Sequence, residues 1–131
     1  MTATARSLSR PLKMLIVDDS NVTRRRIERC QQIAQLQVVG MASNGLEAIE
    51  IFRRTDPDVV TMDITMPQMD GIECVERLVA IKPDVLILIV SALADKATAV
   101  EAMEKGANGF LNKPFTDRQL NDALAELLAG G

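Results

Sequence analysis

Val85-Leu86-Ile87-Leu88-Ile89-Val90 is an unbroken apolar run of strand length, set off by Pro83 on one side and closed by Ser91 on the other. A strand with one wet face alternates apolar and polar residues. A run without a polar position predicts a strand covered on both faces, as in a parallel sheet lying between two layers of helix. Working outward, similar runs recur at Met14–Val17, Val38–Ala42, Val59–Met62 and, more weakly, Gly109–Leu111.

Amphipathic segments fill the intervals. Asn21–Ala34 places Ile27, Cys30, Ile33 and Ala34 on one side, and Gly45–Arg54 does the same with Leu46, Ile49 and Phe52. Ile72, Val75, Leu78 and Val79 form a third stripe, and Ala97, Val100 and Met103 a weaker fourth. Leu120, Ala123, Leu124, Leu127 and Leu128 form a strong fifth. Ser20, Ser43 or Asn44, and Thr116 suit helix N-caps, and Gly106 follows Glu104-Lys105 as a terminating glycine would. Strict alternation of strand and helix predicts right-handed βαβ units: an α/β, doubly wound fold with five parallel strands and five helices. In such sheets ligands bind beyond the carboxyl ends of the strands, which says where to look for chemistry.

The chain's 131 residues suit one domain, here 12–128, preceded by a Thr-, Ala-, Ser- and Arg-rich lead-in over 1–11 that reads as disordered. Only Ala129-Gly130-Gly131 follows, so no output domain is expected. With three Phe, no Trp and no Tyr, the core must be aliphatic. Fifteen basic and eighteen acidic residues give a net charge of -3, which argues against a nucleic-acid partner. Arg24-Arg25-Arg26 and Arg29 form the dense basic patch and read as a solvated helix face. Cys30 and Cys74 fit no metal spacing and read as buried free thiols. No run is long enough to span a membrane, and the N-terminus lacks the apolar core of a signal peptide, so a cytoplasmic setting is expected.

The predicted strand ends carry the polar residues. The first ends in Asp18-Asp19, the third in Asp63 and the fourth in Ser91, and Lys113 follows the fifth. The second ends in Met41-Ala42 and contributes nothing chemical, as suits an outer strand. Two unit charges ~4 Å apart repel by about 4 kcal/mol at an effective dielectric near 20, so three carboxylates on one edge call for a cation. All-oxygen ligands favour Mg²⁺, with Mn²⁺ as a substitute, and Lys113 adds a monovalent counter-charge. A carboxylate beside such a metal can attack phosphorus and form an acyl phosphate, with metal and lysine neutralising the charge and a hydroxyl such as Ser91 donating to the same oxygens. The chain has no histidine, so a phosphohistidine donor must be a separate protein.

These residues, in this order, resemble the receiver domain of two-component response regulators, in its single-domain, chemotaxis-like form. The likeness runs from about Leu12 to Leu128 through Val17-Asp18-Asp19-Ser20 with Arg24, Ala42–Ala48, Met62-Asp63-Ile64-Thr65-Met66-Pro67 with Asp70-Gly71, Val90-Ser91-Ala92, and Gly106-Ala107 through Phe110 to Lys113-Pro114-Phe115. It implies the flavodoxin-like strand order 2-1-3-4-5. It implies Asp63 as phosphoacceptor, and Mg²⁺ held by Asp19, Asp63 and the Thr65 carbonyl, with Asp18 acting largely through water. Lys113, Ser91 and Ala92 would bind phosphate, and Ser91 and Phe110 would form the switch. It also implies a cis Lys113-Pro114 bond.

By the same resemblance, a histidine kinase or histidine phosphotransfer protein is the donor. An unnamed protein target docks on the surface made by the fourth helix, fifth strand and fifth helix, and the chain is a monomer or weak dimer. It is no enzyme beyond catalysing its own phosphorylation and dephosphorylation. The Ala-rich fourth helix (Ala97, Ala99, Ala102) reads as mobile, and apolar Leu93 predicts slow loss of the phosphoryl group. Two rival readings have weaker support. Asp63-Ile64-Thr65 echoes the Asp-x-Thr of aspartyl-nucleophile phosphatases, but there the nucleophile precedes the acidic pair and here it follows. A receiver fold used only for docking would be expected to lose an acidic residue or the lysine, and none is lost.

Overall fold

The computed structural model describes residues 11–66, 69–92 and 96–130. Five strands run in order of sequence as β1 (Leu12–Val17), β2 (Leu36–Ala42), β3 (Val59–Met62), β4 (Leu86–Ser91) and β5 (Gly109–Asn112). They pair in parallel in the order β2-β1-β3-β4-β5. Helices α1 (Asn21–Cys30), α2 (Gly45–Thr55), α3 (Gly71–Ile81) and α4 (Lys96–Glu104) connect successive strands, and α5 (Asp117–Gly130) follows β5. This is the flavodoxin-like fold anticipated above.

Successive residues of each strand face opposite sides of the sheet, and both sides are covered. Leu15, Val17, Val60, Met62, Ile87 and Ile89 pack with α2, α3 and Ala102 of α4. Met14, Ile16, Val59, Leu88 and Val90 pack with Ile27 of α1 and with Leu120, Leu124 and Leu127 of α5. The 85–90 run is apolar at every position because one half of it serves each core. No helix among the described residues is long and apolar enough to cross a membrane.

The helix starts follow the cap residues. Ser20 Oγ accepts from the Thr23 N–H at 3.2 Å, and Asn44, rather than Ser43, accepts from the Glu47 N–H at 2.9 Å. Asp70 caps α3 through the Glu73 N–H at 2.8 Å. Thr116 and Gln119 cap α5 reciprocally, each side chain accepting from the other's N–H. Gly106 has φ 121 after α4, a conformation that favours glycine.

Three local expectations need correction. α1 ends at Cys30 instead of reaching Ala34, because side chains take over the backbone groups that a longer helix would use. Gln31 Oε1 accepts from the Ile33 N–H at 3.0 Å, and Asn121 Oδ1 accepts from the Gln32 N–H at 2.6 Å. On α2 the inward face is Ala48, Ile51 and Phe52, while Leu46 is 56% exposed. On α4 the buried residue is Ala102, and Val100 and Met103 point outward. A small residue at the contact lets a helix approach the sheet, so the larger apolar residues do not mark the packed face. Both cysteines are free; Cys74 is buried, with its thiol pushed up to about 12 by that burial, and Cys30 is half-buried.

Candidate functional site

Two loops at the carboxyl edge of the sheet, those that follow β1 and β3, bring the acidic residues together. Asp18 follows β1, and its backbone continues the ladder through an N–H donated to the Ala42 carbonyl at 3.0 Å. Its Oδ1 accepts from the Ser20 N–H at 2.9 Å, and Arg24 Nη1 donates to its carbonyl at 2.6 Å. Asp63 follows β3, with its N–H bound to the Val17 carbonyl at 2.9 Å and its Oδ1 accepting from the Thr65 N–H at 3.0 Å. Oxygens of Asp18, Asp19 and Asp63 all lie within 4.8 Å of one another. Asp18 and Asp63 are buried and Asp19 is exposed.

Gly71, at the start of α3, is needed where the backbone closes against Asp63 and Ile64. Its N–H donates to the Ile64 carbonyl at 3.2 Å. A Cβ there would lie 2.4 Å from the Asp63 carbonyl oxygen and 2.3 Å from Ile64 Cα, closer than any side chain tolerates.

Lys113 reaches the cluster from immediately after β5, where its N–H donates to the Ser91 carbonyl at 2.9 Å. The Lys113-Pro114 bond is cis, as anticipated. Lys113 Nζ donates to Asp18 Oδ2 at 2.7 Å and to Asp63 Oδ2 at 3.5 Å. Burial works against its charge, but Asp18 and Asp63 outweigh that, and the net direction is upward from the usual lysine value. Asp63 also titrates above the ordinary aspartate value: burial raises it, the Thr65 N–H and Lys113 pull it down, and Asp18 pushes it up again. Two buried carboxylates against one ammonium leave an excess of negative charge. An all-oxygen set of this kind suits a hard divalent cation.

The remaining sequence-predicted residues fall around this cluster. Ser91 is fully buried at the end of β4, and Ala92 next to it is exposed. Thr65 is exposed two residues beyond Asp63. Phe110 is half-buried on β5 and packs against the core that includes Ala102 of α4. Leu93 and Pro67 lie outside the described residues. An open cleft of about 480 Å³ adjoins Lys113, lined by Thr23, Arg26, Ala92, Pro114 and Phe115 as well.

Two arginines of the basic run depart from its reading as a solvated face: Arg24, which binds the Asp18 carbonyl, and Arg26, which is half-buried against residues 115–117. Arg26 makes the longer-range contacts. Its guanidinium donates to the Phe115 carbonyl at 2.6 Å and lies 5.0 Å from the centre of the Phe115 ring. The partners are 89 positions apart, so no local pattern reveals the contact.

The model of the response regulator receiver domain matches residues 14–125. The chain is 40% identical over 113 residues to the chemotaxis protein CheY of Listeria monocytogenes, covering 86% of this chain and 95% of that one. The response regulator domain of Thermotoga maritima CheB superposes with a TM-score of 0.80 at 36% identity, covering 92% of this chain and 96% of that one. Borrelia burgdorferi CheY, solved in a complex with CheX, BeF3 and Mg²⁺, superposes with a TM-score of 0.86 at 27% identity, covering 93% and 92%.

Proposed function

The chain belongs to the response regulator receiver domain family, and from that premise we propose that Asp63 accepts a phosphoryl group from a phosphohistidine and that this modification switches a docking surface. The observation that carries the reading is the meeting of Asp18, Asp19 and Asp63 oxygens within 4.8 Å, with the Lys113 ammonium bonded across Asp18 and Asp63.

Mg²⁺ suits this donor set, and Asp18, Asp19, Asp63 and the Thr65 carbonyl would hold it. When bound, it neutralises charge on the phosphoryl oxygens. The chain's own residues supply the rest. An ionised Asp63 oxygen attacks phosphorus, forming an O–P bond as the P–N bond of the donor breaks. The bonding pair returns to the imidazole nitrogen, which takes up a proton. The Thr65 N–H holds the non-attacking Asp63 oxygen in place. Lys113 exchanges its contact with Asp63 for one with a phosphoryl oxygen, and Ser91 and the backbone at Ala92 donate to the others.

The product adds about -1.5 to -2 charges and strong acceptors at a buried position. Ser91 moves toward those acceptors and vacates space that Phe110 can fill. The change biases a pre-existing equilibrium in the α4–β5–α5 surface. Without a phenol hydroxyl, Phe110 acts through packing alone. The donor is a histidine kinase or histidine phosphotransfer protein in the cytoplasm, and chemotaxis is the pathway suggested by the relatives' names.

Borohydride reduction after exposure to Mg²⁺ and acetyl phosphate tests this reading, because it converts an aspartyl phosphate to homoserine. Homoserine at position 63 supports it. Reduction at another residue, or at none, contradicts it.

A further inference from the structure

We propose that Arg26 is a positioning residue for Lys113, holding the segment that carries the lysine in register with α1; this rests on the phosphoacceptor reading above. α1 sends two arginines to the site. Arg24 fixes one side of it by donating to the Asp18 carbonyl at 2.6 Å. Arg26, two residues later, fixes the other. Its Nη2 donates to the Phe115 carbonyl at 2.6 Å and pairs with Asp117 Oδ1 at 3.3 Å, while its guanidinium stacks on the buried Phe115 ring. One side chain thus binds a backbone oxygen, an aromatic face and a carboxylate, all within residues 115–117. The planar, multi-donor guanidinium suits that combination, and a lysine ammonium does not.

Lys113 sits two residues upstream of this clamp. Its backbone is tied to β4 by its N–H on the Ser91 carbonyl, and Arg26 ties the following turn to α1. The ammonium must reach Asp18 and Asp63 from a backbone positioned by both attachments. Small misplacements of a charge-stabilising group are costly in rate, since such groups act by fixed geometry.

A second brace between α1 and α5 provides a matched control. Asn121 accepts from the Gln32 N–H at 2.6 Å and donates to the Cys30 carbonyl at 2.9 Å. It joins the same two helices at the far end of α1, away from Lys113. If Arg26 acted only by holding the helices together, its loss and that of Asn121 would have the same consequences.

The test compares Arg26→Met with Asn121→Ala in the full chain, using acetyl phosphate and Mg²⁺. Arg26→Met is expected to slow phosphorylation about tenfold without changing Mg²⁺ affinity, whereas Asn121→Ala leaves the rate unchanged. Combined with Lys113→Ala, Arg26→Met adds no further slowing, because both act through one group. Amide hydrogen exchange at Lys113 accelerates in Arg26→Met and not in Asn121→Ala. Equal rates for the two single variants, additive slowing in the double variant, or unchanged exchange at Lys113 would overturn the proposal. If the wild-type chain takes up no phosphoryl group, the functional reading fails, and the exchange comparison still decides the role of Arg26.

Discussion

Lys113 Nζ lies 2.7 Å from Asp18 Oδ2, closing a contact between residues 95 positions apart in sequence. Asp18 is 1% exposed, so the ammonium is bound to a carboxylate that water barely reaches. The same nitrogen approaches Asp63 at 3.5 Å. Lys113 therefore joins the segment after β1 to the segment after β3 and partly offsets the charge of both aspartates.

Removing the ammonium should leave two buried carboxylates facing each other. Lys113→Met is expected to destabilise the Mg²⁺-free protein by about 2 kcal/mol, the scale of a charged hydrogen bond at a partly buried site. Added Mg²⁺ should recover part of that loss by supplying another counter-charge. Urea unfolding with and without Mg²⁺ measures both quantities; wild-type stability in the variant would count against the electrostatic role.

The titration of Asp63 fixes a second outcome. Burial first of all raises its folded value above 3.8. The folded state therefore holds the proton more tightly than the unfolded chain does, and ionising Asp63 works against folding. That cost is absent below the ordinary aspartate value, grows as pH rises between the ordinary and the raised values, and is constant above. Asp63→Asn should stabilise the Mg²⁺-free protein at neutral pH, with the gain shrinking as pH falls through that window. Thermal unfolding of both proteins across the acid range checks the sign, and a gain that grew toward acid would refute it.

A third prediction lies in the core. Thr61, on β3 between Ile16 and Leu88, is 1% exposed, and its hydroxyl has no hydrogen-bond partner among the described residues. Valine has nearly the same shape without the hydroxyl. Thr61→Val should leave stability unchanged or raise it by about 1 kcal/mol, since an unsatisfied buried polar group is removed. Denaturant midpoints measure this; a clear loss would mean that the hydroxyl has a partner in solution.

The sheet and its chemical edge were legible because each rests on a short-range pattern. A run such as Val85–Val90 needs both faces covered, and the alternation of elements then leaves one edge on which Asp18, Asp19, Asp63 and Lys113 can meet. The order of the strands was not readable from periodicity and came from the family resemblance. Helix faces were less legible where small residues make the contact: Ala48 and Ala102 are buried while Leu46 and Met103 are not. The end of α1 was hidden because Asn121, far away in sequence, satisfies its backbone. Arg26 was hidden for the same reason, since a charge in a basic run gives no sign of a carbonyl waiting 89 residues downstream.

Intact mass spectrometry with Mg²⁺ and acetyl phosphate tests the central claim most directly. The wild-type chain should gain the mass of one phosphoryl group, Asp63→Asn should gain none, and a chelator should abolish the gain. An adduct that persisted in Asp63→Asn, or a wild-type chain that bound Mg²⁺ and the phosphoryl mimic BeF3 yet never gained the mass, would contradict it.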